Sequence, residues 1–416
     1  MDTTDKPQQT HDYLHILGRQ PALGIAELEA VYGAERVHVI TADAALVTGL
    51  TGADTATAEA HFPYLGGSVK IARLIDSVAS TNWPQVARHL EKRLTHYVAH
   101  VSEGKLKLGL STYGLEVSAA RLAATALDCK KTLRATGRSV RIIPNQQTSL
   151  SSAQILHNQL TGPLGCELVL LRNGSETLIA QTVYCQDIDN YAARDHGRPM
   201  RDAFVGMLPP KLAQIMLNLA ASPTMRHKQP PLRILDPFCG TGVILQEALL
   251  MGHDAYGTDL ESRMIDYSRG NLDWLRTTFG LNRFNVTLEA GDATTHHWSN
   301  IDCVAGETYL GTPLQHLPTL AALNEIVMKC DELHRAFFKN IAKQLSPGTS
   351  LCMAVPAWRL NPEASGKARF RHLPVIDELV SLGYNQTDFT HVRGNDLMYF
   401  RDDQLVAREL LVLTRR

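Results

Sequence analysis

The chain has 416 residues, 44% of them apolar and 20% charged, with a formal net charge of −1. That length predicts two or three domains of an ordinary globular protein, and no window approaches the apolar length of a membrane span. Seven cysteines without a C-x-x-C pair argue against a disulfide framework or a zinc ribbon, and the polar start lacks a secretory signal, so a cytoplasmic protein is expected.

In chain order, "YLHIL" predicts a strand and "GIAELEAVYG" a helix stopped at Gly33. "ERVHVI", "AALVTGL" and "GGSVKIARLID" are strand-like. A helix is expected over "WPQVARHLEKRLTHYVAHV", a strand over "KLKLGLSTYG" and a helix through "SAARLAATALDCKKTLRATG". "SVRIIP" reads as a strand and "SSAQILHNQL" as a capped helix. "CELVLLRNGSETLIAQTVY" reads as a hairpin turning at Asn173-Gly174. Short β elements mixed with helices describe α+β modules rather than a parallel sheet.

Between Gln85 and Arg141 stand eleven Lys or Arg (Arg88, Lys92, Arg93, Lys105, Lys107, Arg121, Lys130, Lys131, Arg134, Arg138, Arg141) against four acids, Glu91, Glu103, Glu116 and Asp128. Such a segment is either a footprint for a polyanion or a solvated face, and charge alone favours the second.

"RDHGRPMRDAFVGMLPPK" breaks the pattern and reads as a connector, followed by a helix at "LAQIMLNLAAS" and the polar run "PTMRHKQPP". From Leu232 the chain alternates strictly β then α. "RILDPF", "HDAYGTDL", "NVTLEAGDA", "IDCVAGE" and "SLCMAVPAW" are strands separated by helices, and "DLMYFRDDQLVARELLVLTRR" closes as an antiparallel pair.

"ILDPFCGTGVILQEALLMG" carries the most chemistry. A buried strand ends at Asp236, a tight turn holds Gly240 and Gly242, and a helix begins at once, offering free N–H groups and a positive dipole end to a ligand. Asp259 follows Gly242 by seventeen residues at the end of the next strand, placed to accept from ribose hydroxyls, and Asp292 follows the third strand, near an adenine amino group. A dinucleotide site would need glycine where Leu245 stands. A purely structural turn would not need three carboxylates at three successive strand ends. The remaining reading is S-adenosyl-L-methionine, with Asp236 facing its ammonium group. The cofactor set so read is Asp236, Phe238, Gly240, Thr241, Gly242, Asp259, Leu260, Asp292 and Ala293.

The D-P-F-C-G-T-G loop resembles the first motif of class I methyltransferases that act on RNA. "YLHILGRQPALGIAELEAVYG", "LGGSVKIARLI" and "GRPMRDAFVGMLPPKLAQIMLNLA" are similar to the opening, the element before the RNA-binding THUMP domain, and the connector of the archaeal and eukaryotic tRNA guanosine-N2 methyltransferases of the position-ten type. The resemblance covers nearly the whole chain. It implies a ferredoxin-like α+β module (1–80), a THUMP-like RNA-binding domain (81–190), a linker and connecting helix (191–230), and a Rossmann-like α/β class I methyltransferase domain (231–416). It places the basic segment in the THUMP-like domain, against tRNA or another structured RNA, with phosphate contacts for positioning and the pocket for base choice.

The sequence departs from that family at one place. An Asp/Asn-Pro-Pro-Tyr/Phe turn is expected after the fourth strand, because a guanine amine is weakly nucleophilic and needs two acceptors to orient it and a ring to stack on its base. Aligned on Gly311, Glu307 takes the acidic position, Thr308 and Tyr309 replace the prolines, and Leu310 replaces the aromatic. The extra methylene of Glu307 shifts an acceptor by about 1 Å, enough to cost on the order of 10²-fold. Losing the prolines frees the turn, and losing the ring forfeits about 1–3 kcal/mol of stacking. Glu307 is expected to orient the amine, with the Thr308 carbonyl as second acceptor and Tyr309 near the base. No metal is needed. Two outcomes stay open: a variant active site, or an RNA-binding protein that has lost catalysis and works as a regulatory or partner subunit.

Lesser signals read more plainly. His96 and His100 have zinc-like helical spacing but no third ligand. "THHW" (Thr295 to Trp298) either lines the adenine pocket or is a loop anchored by its Trp, and Cys239 is a small residue that fits its loop. Arg359, Lys367, Arg369, Phe370 and Arg371 form either an RNA contact near the pocket or an exposed loop.

Overall fold

The computed structural model describes residues 10–416 except 203–206, 226–227, 313, 315, 317 and 361–368. By its contacts the chain divides into two units, and the division does not follow chain order: Met1–Pro21, Glu35–Pro63 and Ser68–Asn190 form one, Ala22–Ala34, Tyr64–Gly67 and Tyr191–Arg416 the other.

Among the described residues the first unit is built on strands β1 (Thr10–Leu17), β2 (Val37–Thr41), β3 (Ala44–Thr51), β4 (Ser68–Val78), β5 (Leu106–Tyr113), β6 (Val140–Ile142), β7 (Gly165–Asn173) and β8 (Glu176–Cys185). They form one sheet in the order β2-β3-β1-β4-β8-β7-β5-β6. The sheet is mixed, as α+β modules imply: its pairs are antiparallel except at one end, where β5 runs parallel to both β6 and β7. The connections through helices are long enough to return each strand in the same direction.

The helices in chain order are α1 (Pro21–Tyr32), α2 (Gly52–His61), α3 (Trp83–Tyr97), α4 (Ala119–Ala135), α5 (Ser152–His157) and α6 (Ile188–His196). Helix α2 carries no clear apolar stripe in "GADTATAEAH", so periodicity does not reveal it. Helix α6 takes "RDH" out of the expected connector, and residues 203–206 of that connector lie outside the described residues. Helix α5 has the expected cap as a full capping box, Ser151 with Gln154. The hairpin pairs Asn173 with Glu176, so its two-residue turn is Gly174-Ser175, one position later than expected, with Gly174 at φ 57°.

Trp83, Val86, Leu90 and Leu94 of α3 and Leu122, Ala126 and Leu133 of α4 bury one face together with Leu106 and Leu108 of β5. The outer faces are left basic: Arg88, Lys92, Arg93, Arg121, Lys131 and Arg134 are exposed. Arg138 is not part of that face, because its guanidinium donates to the carbonyls of Val98, Val101 and Ser102 at 2.8–3.1 Å.

The second unit adds α7 (Pro210–Met225), β9 (Arg233–Asp236), α8 (Val243–Leu250), β10 (Asp254–Asp259), α9 (Ser262–Phe279), β11 (Val286–Ala290), β12 (Cys303–Glu307), α10 (Leu320–Ala342), β13 (Ser350–Arg359), β14 (Phe370–Arg371), β15 (Tyr384–Gln386), β16 (Met398–Tyr399) and β17 (Val406–Arg415). Its sheet runs β11-β10-β9-β12-β13-β17-β15, parallel from β11 to β13, with β17 antiparallel between β13 and β15. The expected terminal pair is present as β16 with β17.

Both faces of the central strands are covered, which is why they read as continuous apolar runs. Cys352, Ala354, Leu410 and Val412 face α7, whereas Leu351, Met353, Leu411 and Leu413 face Phe337, Phe338 and Ile341 of α10. Leu23, Ala26 and Ala30 of α1 join the first of these cores. The chain builds outward from β9 to β11 and then returns to start β12 on the other side, so β9 and β12 flank the topological switch point where an open α/β sheet offers a crevice. No described helix is long and apolar enough to cross a membrane.

Candidate active site

The crevice is a cavity of about 590 Å³, within the range of small-molecule sites. Asp236, Phe238, Gly240, Thr241, Asp259, Leu260, Asp292, Ala293, Glu307, Thr308 and Tyr309 all line it, so residues spread over 74 positions of sequence meet at one set of strand ends. Gly242 stands behind the wall as the N-cap of α8 at φ 85°, where a Cβ would lie 2.9 Å from Ser268 Oγ.

The glycine loop is tied from three sides. Gly240 N–H donates to Asp259 Oδ2 at 2.9 Å, Ser268 Oγ donates to the Gly240 carbonyl at 2.8 Å, and Asn271 Nδ2 donates to the Thr241 carbonyl at 2.8 Å. Asp259 also accepts from Glu261 N–H at 3.0 Å, so it shapes the loop as well as facing the cavity. Asp292 is exposed, and its Oδ1 accepts from both the amide and hydroxyl of Thr294. Leu260 is 73% exposed beside Asp259, an apolar side chain spread over the mouth.

Asp236 is buried, and burial pushes its carboxyl well above the usual range, while the Phe238 amide, donating to Oδ1 at 3.1 Å, works the other way. A Cβ at Gly306 would come within 2.6 Å of that same Oδ1, so the glycine is what lets β12 pass Asp236.

At the end of β12 successive side chains point to opposite faces. Glu307 turns toward Arg408 of β17, whose Nε and Nη2 both donate to its carboxylate. Burial raises the Glu307 pKa and the Arg408 charge opposes that rise. Thr308 turns toward α10: its hydroxyl lies 2.6 Å from His334 Nε2 and 3.0 Å from the Ala354 carbonyl, to which its amide also donates at 3.0 Å. His334 Nδ1 contacts the Cys330 carbonyl at 2.6 Å, so Nδ1 carries the proton and Nε2 accepts from Thr308. Tyr309 is 49% exposed at the mouth, its hydroxyl 3.5 Å from Thr312 Oγ1.

The sequence carried no signal for Arg408, His334, Ser268, Asn271 or Arg198. Arg198 is buried, donates to Thr241 Oγ1 at 3.0 Å, and among the described residues its Nε and Nη2 have no hydrogen-bond partner. Its place in the "GRPMRD" run hid it as connector. Trp298 anchors its loop by donating from Nε1 to Thr258 Oγ1 at 3.2 Å, the second of the two readings of "THHW". Arg359 donates to the Asp402 carbonyl and Phe370 packs on Phe400, while Arg369 and Arg371 are exposed; Lys367 lies outside the described residues.

The cavity has the chemistry of an adenosyl and amino-acid ligand: carboxylates at Asp236 and Asp259, a glycine turn that a Cβ would crowd, and an apolar cover at Leu260. Sheet order, switch-point crevice and glycine loop together are those of a class I methyltransferase fold.

Residues 198–279 match the RMKL-like methyltransferase domain family. The chain is related to enzymes named tRNA (guanine(10)-N2)-dimethyltransferase. It is 33% identical over 165 residues to the one from Methanothermobacter thermautotrophicus and 38% identical over 87 residues to the one from Pyrococcus abyssi. The matched stretches cover 39% and 21% of this chain, and 42% and 22% of those relatives. TrmN from Thermus thermophilus superposes with a TM-score of 0.53 at 16% identity, covering 98% of this chain and 100% of that one, a likeness of fold.

Proposed function

We propose that this protein is an S-adenosylmethionine-dependent RNA methyltransferase that modifies the exocyclic amine of guanosine in tRNA. The observation that carries the reading is the meeting of Asp236, Asp259 and the Glu307 turn in one cavity at the switch point. The relatives' names supply the substrate class, and the basic outer faces of α3 and α4 supply a surface for the RNA backbone, in a THUMP-like domain over 81–190.

Asp236 and Asp259 would hold the cofactor's ammonium and ribose, with Phe238, Gly240, Thr241 and Gly242 shaping the turn beneath it, and Leu260, Asp292 and Ala293 around the adenine. When bound, S-adenosylmethionine would supply an electrophilic methyl group to the amine nitrogen. Glu307 and the Thr308 carbonyl accept from the two amine N–H groups and so aim the nitrogen lone pair. Tyr309, half exposed at the mouth, replaces the missing ring as the surface on which the base rests.

A second reading is favoured by the Glu307–Arg408 pair. A carboxylate already satisfied by a guanidinium is a weaker acceptor for substrate, as a catalytically silent RNA-binding protein or a partner subunit would have. Incubation with unmodified tRNA and labelled cofactor, followed by mass spectrometry of the nucleosides, decides between them. N2-methylguanosine supports the enzyme. Cofactor binding without transfer to any tRNA overturns it.

A further inference from the structure

The turn after β12 lacks the prolines that would stiffen it, yet both of its first side chains are held. Glu307 pairs in register with Ala354 of β13, and Arg408 lies opposite Pro356 on the far side of the same strand. Arg408 therefore reaches across the whole width of β13, over small side chains, to place its guanidinium on Glu307; it is only 5% exposed. From the opposite face His334 of α10, fully buried, accepts from the Thr308 hydroxyl and is itself fixed by the Cys330 carbonyl one helical turn earlier.

We infer that Arg408 and His334 are positioning residues that clamp Glu307 and Thr308 from opposite faces of the sheet, taking over from backbone chemistry the task of holding the amine acceptors. The inference deepens the proposed methyl transfer and rests on it for its kinetic consequences. Its structural core stands apart, because neither clamp needs a substrate. A guanidinium bound through two nitrogens leaves the outward lone pairs of the carboxylate available, and it fixes the longer Glu side chain in one rotamer. A hydroxyl held between the neutral His334 imidazole and the Ala354 carbonyl fixes the Thr308 peptide plane, and with it the carbonyl assigned as second acceptor.

Two measurements on the full-length protein test this in Arg408→Met, Arg408→Lys and Thr308→Val, with His334→Gln as a check on the other partner. The first is hydrogen–deuterium exchange of the Thr308 amide, which donates to the Ala354 carbonyl. Thr308→Val and His334→Gln are expected to speed that exchange at least tenfold while peptides of α8 and β10 stay unchanged. The second is single-turnover transfer to tRNA. Arg408→Met and Thr308→Val are expected to slow it at least tenfold with cofactor Kd and RNA KM within twofold of wild type. Arg408→Met also moves the acid limb of the rate profile to higher pH, and Arg408→Lys recovers part of both losses. Unchanged exchange at Thr308, or unchanged single-turnover rates in an active enzyme, overturns the clamp. A wild-type protein that transfers nothing overturns the proposed function and leaves the exchange measurement to decide the clamp.

Discussion

Gly306 sits against Asp236 so closely that any side chain at 306 would collide with the carboxylate: a Cβ there would stand 2.6 Å from Asp236 Oδ1 and 3.3 Å from Pro237 Cδ. Gly306→Ala must therefore displace Asp236, the residue assigned to the cofactor's ammonium group. Cofactor affinity measured by calorimetry is expected to fall at least tenfold, about 1.4 kcal/mol, while the far-UV spectrum is unchanged. Wild-type affinity in the variant would remove Asp236 from the cofactor site.

Glu307 is useful as an acceptor only when ionised. Burial raises its pKa, and Arg408 restrains the rise without cancelling it. The methyl-transfer rate is expected to fall as pH drops through that raised value, at a higher pH than an exposed glutamate would show. Glu307→Ala should lower single-turnover transfer on the order of 10²-fold or more with cofactor binding retained. Retained transfer in that variant would mean the acceptor lies elsewhere.

The convergence of Asp236, Asp259 and Asp292 on one cavity was legible in the sequence, and the supports of the turn after β12 were not. Asp236, Asp259 and Asp292 end successive strands close in the chain, so their convergence follows from β/α alternation alone. Arg408 lies 101 residues from Glu307 and sits in "VARELLVLTR", where nothing in the pattern distinguishes it from an ordinary surface arginine. His334 falls inside a long amphipathic helix, where a histidine usually means only a polar face. Helix α1 was legible as a helix but not as part of the second unit, because its ties there run through buried Glu27 and Glu29 to residues as far away as His391.

Glu27 gives that placement a measurable weight. Its carboxylate accepts from the amides of Gly66 and Gly67 at 2.9 and 2.8 Å and from Asn218 Nδ2 at 2.8 Å, with no exposure to solvent. Glu27→Ala leaves the buried amides of Gly66 and Gly67 without their acceptor and Asn218 Nδ2 with the Tyr64 carbonyl, a loss of about 2 kcal/mol or more. The midpoint of denaturant unfolding for the second unit should drop accordingly. Gly66→Ala and Gly67→Ala should act in the same direction, since their Cβ atoms would lie 2.0 Å from the Lys211 carbonyl and 2.5 Å from Gly24 Cα. A stability unchanged in Glu27→Ala would show that α1 is held by its apolar face alone.

His15 predicts an acid limit for the first unit. It is completely buried on β1, its Nδ1 3.0 Å from Ser68 Oγ, and burial lowers its pKa to about 3. In the unfolded chain it titrates near 6.5, so between those values the unfolded state binds a proton that the folded state refuses. Stability from this group is full above pH ~6.5 and is lost as pH falls toward 3, by up to about 1.4 kcal/mol per pH unit. Unfolding of the wild type and of His15→Asn, followed from pH 7.5 to 4, should diverge in slope, with the variant less sensitive to acid. Parallel pH profiles for the two proteins would show that His15 takes up its proton in the folded state and that the acid sensitivity of this unit comes from other groups.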